Sequence, residues 1–188
     1  MKPRLKVITV FGSSRPKAGQ AEYASAQALG AELAARNFVV CSGGYAGVME
    51  AVSRGAKEAG GQTLAVTASF FKARANAWVD KEIRVKTWRE RLFELIKRGG
   101  GYVACPGGTG TLVELAVVWE LLNKGAMRRK PLVLLGEFWK PVIDRVREAE
   151  LGHASPWGEA HESLIRFADS PAAAAALLAE LLRPPCSS

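Results

Sequence analysis

The chain has 188 residues, of which 48% are apolar and 23% are charged, and its formal net charge is +8. This length and composition are typical of one folded α/β domain with a substantial core, which we expect to cover residues 1–188. No run approaches the ~18 apolar residues of a membrane helix, and the N-terminal apolar run is too short for a signal peptide, so we expect a cytoplasmic protein with no membrane partner.

Short β-rich runs alternate along the chain with stretches of helical periodicity. The predicted strands, in chain order, are residues 5–11, 38–41, 63–67, 83–86, 101–105, 131–136 and 164–167. The predicted helices are residues 20–36, 46–59, 88–98, 110–124, 139–150 and 171–183, with Thr87 and Ser170 as N-caps of the third and last. This alternation predicts a doubly wound α/β fold, a parallel sheet of about seven strands with helices on both faces.

Three predicted strands end in short loops rich in glycine or serine, namely GSSRP (12–16), SGGYAG (42–47) and PGGTGT (106–111). Ligands of such folds bind outside the carboxyl ends of the strands, where glycines and helix starts expose backbone N–H groups. We therefore expect a phosphate site, with hydroxyls from Ser13, Ser14, Ser42 and Thr111, rather than three tight turns. None of the loops is a Walker A loop, because G-K-[ST] does not occur.

The helix over 110–124 is apolar on almost every side, which predicts burial in the core or at a subunit interface. Its acids are Glu114 and Glu120. A buried carboxylate without a partner is costly, so Glu114 is expected to face a partner or a ligand. The simpler interpretation is a carboxylate near a helix start, stabilised by the helix dipole.

Arg91 borders the apolar stripe of the preceding helix, three residues after Trp88 and four before Leu95. An arginine in this position suits a clamp for phosphate or carboxylate. It is equally typical of an arginine whose stem covers apolar surface while its head stays in water. The residues alone leave both interpretations open.

The sequence gives less support for a metal ion or a nucleic acid as the ligand. The odd count of widely spaced cysteines (Cys41, Cys105 and Cys186) and the presence of only His153 and His161 argue against a disulfide framework and a metal site. The densest basic cluster, residues 127–130, is interpreted as a solvated loop, so no nucleic-acid partner is expected. The longest irregular segment, residues 68–80, is a candidate mobile lid.

The segment PGGTGTLVE (106–114) resembles the P-G-G-x-G-T-x-x-E signature of the LOG (LONELY GUY) family of phosphoribohydrolases, members of which were once labelled lysine decarboxylase-like. VFGSS (10–14), SGGYAGVMEAV (42–52), ERL (90–92) and KPLVLLGEFWKPVID (130–144) resemble further family segments in the same order. The chain departs from the family at Ser42, Glu50, Trp88, Leu92 and Thr109.

The resemblance implies a Rossmann-like fold, a homodimer or larger homo-oligomer, and hydrolysis of a nucleoside 5′-monophosphate to free base and ribose 5-phosphate. It implies no cofactor, and we find no site for pyridoxal phosphate. Arg91 and Glu114 would be the catalytic pair. The phosphate and ribose would be held by Ser13, Ser14, Gly43, Gly44, Gly47, Gly107, Gly108, Gly110 and Thr111. The alternative is a non-catalytic nucleotide- or pterin-binding carrier of the same fold, which the changes at Ser42, Glu50 and Leu92 favour and the pair of Arg91 and Glu114 argues against.

Overall fold

A computed structural model describes residues 6–151 and 164–183 of the chain. Leu5 at the start of the first predicted strand, and also His153, His161 and Cys186, lie outside the described residues. The strands are β1 (Val7–Phe11), β2 (Val39–Ser42), β3 (Thr63–Ala68), β4 (Lys81–Val85), β5 (Gly101–Ala104), β6 (Leu132–Leu135) and β7 (Ile165–Ala168).

The helices are α1 (Ala21–Ala35), α2 (Val48–Glu58), α3 (Trp88–Arg98), α4 (Thr109–Asn123), α5 (Lys140–Leu151) and α6 (Pro171–Leu181). Both predicted N-caps are confirmed. Thr87 forms a capping box with Glu90, and the Ser170 side chain accepts a hydrogen bond from the backbone of Ala173. Along the described stretches, no helix has both the length and the apolar character to cross a bilayer.

All seven strands are parallel and lie in the order β4-β3-β2-β1-β5-β6-β7. Their buried side chains form two core clusters, one with α1, α2 and α6 and the other with α3, α4 and α5. The predicted doubly wound fold is confirmed. The order reverses between β1 and β5, and a crevice at such a switch point is where ligands bind in these folds.

Helix α4 is less buried than its composition predicts. Leu115 and Val118 are fully buried, but Leu112 is 37% exposed and Ala116 also faces solvent. The apolar residues lie on more sides of the helix than the sheet alone can cover. This second face is therefore not buried in the core, and its burial at a subunit interface stays a prediction.

Candidate functional site

A cavity of about 860 Å³ lies at the carboxyl edge of the sheet. The loops after β1, β2 and β5 border it, together with side chains of α3 and α4. The residues predicted for the site that line this cavity are Ser13, Ser14, Gly43, Arg91, Gly107, Gly108, Gly110, Thr111 and Glu114. Gly44 and Gly47 are not among its lining residues.

The N-terminus of α4 opens onto this cavity. Its N-cap, Gly108, supplies no side-chain hydrogen bond, and a Cβ atom built on Gly108 or Gly110 would meet nothing within 4 Å. The first-turn N–H groups of an uncapped helix lack intrahelical partners and carry partial positive charge. This end of α4 is therefore suited to an anion such as a phosphate.

Backbone contacts join the three loops behind the cavity. The N–H of Ser13 donates to the carbonyl of Pro106 (3.2 Å), and the N–H of Val48 donates to the carbonyl of Ser13 (2.8 Å). Gly47 has a φ of +71°, and a Cβ there would lie 2.4 Å from the carbonyl oxygen of Ser13. Glycine at position 47 thus permits close packing of two loops.

The expectation that Ser42 offers its hydroxyl to a ligand is wrong. Its side chain is fully buried, where it accepts a hydrogen bond from the N–H of Gly44 (3.1 Å) and donates to the carbonyl of Met49 (3.3 Å). Serine at a turn commonly bonds to nearby backbone in this way. Ser42 therefore shapes the loop after β2 and does not face the cavity.

Arg91 is a buried charge, 7% exposed, that reaches across the edge of the sheet. Its Nε donates to the carbonyl of Val66 (2.9 Å), and its guanidinium carbon lies 5.3 Å from the ring centroid of Tyr45 and 5.6 Å from that of Phe71. A Cβ on Gly43 would lie 1.6 Å from Nη2 of Arg91. Gly43 thus leaves the space that the guanidinium occupies. Nη2 of Arg91 also donates to Sδ of Met49 (3.6 Å), so Nη1 and one N–H of Nη2 are what remains of its five donors.

Glu114 lies beside this arginine, with 3.7 Å between Nη1 of Arg91 and Oε1 of Glu114. The glutamate side chain is 16% exposed. Burial raises the pKa of Glu114 to about 7, and the charge of Arg91 only partly opposes this effect. Burial also lowers the pKa of Arg91, while Glu114 opposes that shift. A carboxyl group with a perturbed pKa in a cavity is typical of a functional site.

Asn76 is a structural part of the site that sequence reasoning missed. Its Nδ2 donates to the carbonyls of Gly44 and Tyr45, both at 3.0 Å, and its backbone N–H donates to Gly44 at 2.8 Å. Asn76 therefore ties the segment after β3 to the loop after β2. No local pattern marks this residue, because its partners lie more than 30 positions earlier in the chain.

The sheet order, the switch point and the cavity define a Rossmann-like α/β protein with a ligand site at the carboxyl edge of the sheet. The chain belongs to the SLOG cluster4 family, whose model matches residues 5–155. The resemblance to LOG-type proteins is thereby confirmed.

Several relatives carry the name cytokinin riboside 5′-monophosphate phosphoribohydrolase, and two of them illustrate the degree of similarity. One, from Mycobacterium marinum, is 37% identical over 113 residues, or 58% of this chain and 60% of the relative. The other, from Arabidopsis thaliana, is 34% identical over 140 residues, or 71% of this chain and 63% of the relative. The chain thus spans about three fifths of the length of these relatives.

Two solved structures share the fold. The molybdenum cofactor binding protein from Rippkaea orientalis superposes with a TM-score of 0.76 at 24% identity, covering 96% of this chain and 99% of that one. The Moco carrier protein from Chlamydomonas reinhardtii has a TM-score of 0.69 at 26% identity, covering 95% and 98%. The seven-stranded architecture is therefore common to proteins with different names.

Proposed function

We propose that this protein hydrolyses the N-glycosidic bond of a nucleoside 5′-monophosphate, AMP or an N6-substituted AMP, to free base and ribose 5-phosphate. The observation that carries the proposal is the placement of Glu114 against Arg91 in the cavity onto which the uncapped N-terminus of α4 opens. The names of the LOG-type relatives support the same reaction.

The roles follow from the chemistry of cleavage. The C1′–N bond breaks with its electron pair going to the base, which leaves positive charge on the ribose. Ionised Glu114 would stabilise that charge, and its pKa near 7 also suits a base that takes a proton from water as the water oxygen bonds to C1′. The departing base takes up a proton from solvent, and Glu114 returns to solvent the proton that it took from water. The products are the neutral base and ribose 5-phosphate.

The remaining groups would hold the substrate. The start of α4 binds the phosphate, with Gly108, Gly110 and the hydroxyl of Ser14 beside it. The free donors of Arg91 orient the ribose and keep Glu114 in place. Because the phosphate is remote from the bond that breaks, its binding energy serves to orient the sugar over Glu114.

The proposal is tested by incubating the protein with AMP and following adenine release by chromatography. We expect Glu114→Gln and Arg91→Ala each to slow release at least about 100-fold, as for the loss of one group that stabilises charge in a transition state. Glu120→Gln is the matched control, since Glu120 is the other acid of α4, is 58% exposed and does not line the cavity. Unchanged release by either site variant would contradict the assignment.

A second candidate function is non-catalytic binding of a nucleotide or a pterin cofactor. The volume of the cavity, about 860 Å³, favours it, because this is near the upper end of the range of about 300–1,000 Å³ for ligand sites. The Chlamydomonas Moco carrier protein has the same fold. Thermal stabilisation by AMP without any release of adenine, even at long incubation, would support this function against hydrolysis.

We also propose that the protein forms a homodimer or a larger homo-oligomer through α4 and α5. A groove between these helices is lined mainly by apolar side chains, and Leu112, Val142 and Val146 at its rim are each 37–39% exposed. An exposed apolar surface of this kind is typical of contacts between subunits. The resemblance to the LOG family implies an assembly of the same kind.

A further inference from the structure

Three exposed aromatic rings line the cavity and have no part in the proposed chemistry. Phe138 follows β6, on the far side of β5 from β3, and the other two are Phe71 and Trp88. Phe71 is 42% exposed and Trp88 is 43% exposed, and both line the cavity. They come from different elements, since Phe71 ends the 3₁₀ turn after β3 and Trp88 is the first residue of α3. Apolar surface that converges from two elements on a cavity is typical of a binding surface.

Both rings lie on the Arg91 side of the cavity. The Phe71 ring centroid is 5.6 Å from the guanidinium carbon of Arg91, and Phe71 packs edge-on against Tyr45 at 5.6 Å. Trp88 precedes Arg91 by three residues on α3, so the two side chains leave neighbouring positions of one helix face. The two rings therefore border the catalytic pair.

The position of β3 in the sheet separates this aromatic side from the proposed phosphate site. Strand β3 is two strands from β1 and three from β5, whose loops would hold the phosphate. At about 4.8 Å per strand, the separation along the sheet edge is roughly 10–14 Å. The cavity thus has an anion end over β1 and β5 and an apolar end over β3, with Arg91 and Glu114 between them.

We propose that Phe71 and Trp88 form the subsite for the base and set its specificity by stacking. This inference rests on the hydrolase function proposed above. The side chains that line the apolar end near these rings (Tyr45, Met49 and Ala73) include no carboxylate or amide to read the edge of a base. Stacking is tolerant of exocyclic groups and grows with ring area. The subsite therefore selects two-ring purines over one-ring pyrimidines.

The test compares ligands with and without a base. AMP and CMP occupy both ends of the cavity, whereas ribose 5-phosphate occupies only the anion end. We expect Phe71→Ala and Trp88→Ala each to weaken AMP binding roughly 10- to 100-fold, the usual loss for one stacking side chain. The dissociation constant of each variant for ribose 5-phosphate should stay within about twofold of that of the unmodified protein. The preference for AMP over CMP should disappear. Calorimetry gives the dissociation constants, and kcat/KM for AMP and CMP gives the specificity.

The controls separate stacking from folding. Phe93→Ala removes another half-exposed aromatic ring of α3 that does not line the cavity. This variant should bind AMP and ribose 5-phosphate with unchanged affinity. Phe71→Leu keeps an apolar group near Arg91 without the ring, and should weaken AMP almost as much as Phe71→Ala. Trp88→Phe, which keeps a ring, should restore most of the affinity for AMP.

Two results would overturn the assignment. One is an equal loss of affinity for AMP and for ribose 5-phosphate in the alanine variants, which would mean that the rings only support Arg91 and the fold. The other is unchanged AMP affinity in both alanine variants. Because calorimetry needs no turnover, selective loss of AMP binding would support the subsite even if no nucleotide were cleaved, and the hydrolase function alone would then fail.

Discussion

Glu114 is a partly buried acid of α4, and its Oε1 lies 3.7 Å from Nη1 of Arg91, a buried cation of α3. Burying an ion costs several kcal/mol, and a single opposite charge repays only part of that cost. The raised pKa of Glu114 reports this imbalance, because protonation removes the buried charge. We therefore expect the ionised pair to lower stability at neutral pH.

This imbalance predicts a pH-dependent effect of Glu114→Gln on stability. The native pKa of about 7 lies above the ordinary 4.5, so the native state holds a proton that the unfolded chain releases between these values. Stability of the unmodified protein is lost as the pH rises through that window. At about 1.4 kcal/mol per pKa unit, the variant should be more stable by ~3 kcal/mol at pH 8 and by less than ~1 kcal/mol at pH 5.

Urea denaturation at both pH values gives the two free energies of unfolding. Glu120→Gln, which changes an exposed acid of the same helix, should show no such dependence. A Glu114→Gln variant that is less stable than the unmodified protein at pH 8 would show that the ion pair outweighs the burial cost.

At the scale of elements, the loop after β2 packs directly against the side chain of Arg91 from α3. A Cβ on Gly43 would meet Nη2 of Arg91 at 1.6 Å and Sδ of Met49 at 2.6 Å. Any side chain at position 43 must therefore push the guanidinium out from between Tyr45 and Phe71. Glycine is therefore required at position 43 to make room for Arg91, in addition to any contact of its backbone with a bound phosphate.

Gly43→Ala should consequently displace Arg91, with a cost of about 1–3 kcal/mol in the free energy of unfolding and a loss of adenine release similar to that of Arg91→Ala. A double-mutant cycle tests the cause. In an Arg91→Ala background the same glycine substitution should cost at least ~1 kcal/mol less, because the clash with Arg91 is gone and only the close contact with Sδ of Met49 remains. Additive costs would show that Met49 or the loop backbone, and not Arg91, resists the new methyl group.

At the scale of the whole molecule, the helix layer that contains α4 and α5 leaves an apolar groove exposed to solvent. Helix α4 presents apolar side chains to solvent beside α5, although another face of the same helix carries Glu114 in the site cavity. Association through this surface would hold α4 in place from outside. The proposed assembly would thereby stabilise the catalytic pair without contributing a residue to it.

Sedimentation velocity tests the proposed assembly. The unmodified protein should sediment as a dimer or larger, and Val142→Asp, which puts a charge into the groove, should shift it towards the monomer. Leu181→Asp is the matched control, because Leu181 is 44% exposed but lies on α6, on the opposite layer. A monomeric unmodified protein would contradict the proposed assembly.

Much of the site was predictable because it is local in the chain. The glycine-rich loops end predicted strands, and strand ends of a parallel sheet meet at one edge, so Ser13, Gly107 and Thr111 were expected near one another. Glu114 was conspicuous as an acid in an apolar helix. Ser42 was assigned wrongly because a hydroxyl in a loop looks the same in sequence whether it faces a ligand or the backbone.

The amino-acid sequence by itself determined the order of strands and helices, the helix caps and the family signature, because periodicity, caps and motifs act over a few neighbouring residues. Only the tertiary structure decided which glycines face the cavity and which leave space for a neighbouring group. It also placed Arg91 between the rings of Tyr45 and Phe71. It further brought Phe71, Trp88 and Asn76 to the region of the site. Those properties depend on contacts between segments far apart in the chain. Such contacts exist only once burial of the core has brought the elements together.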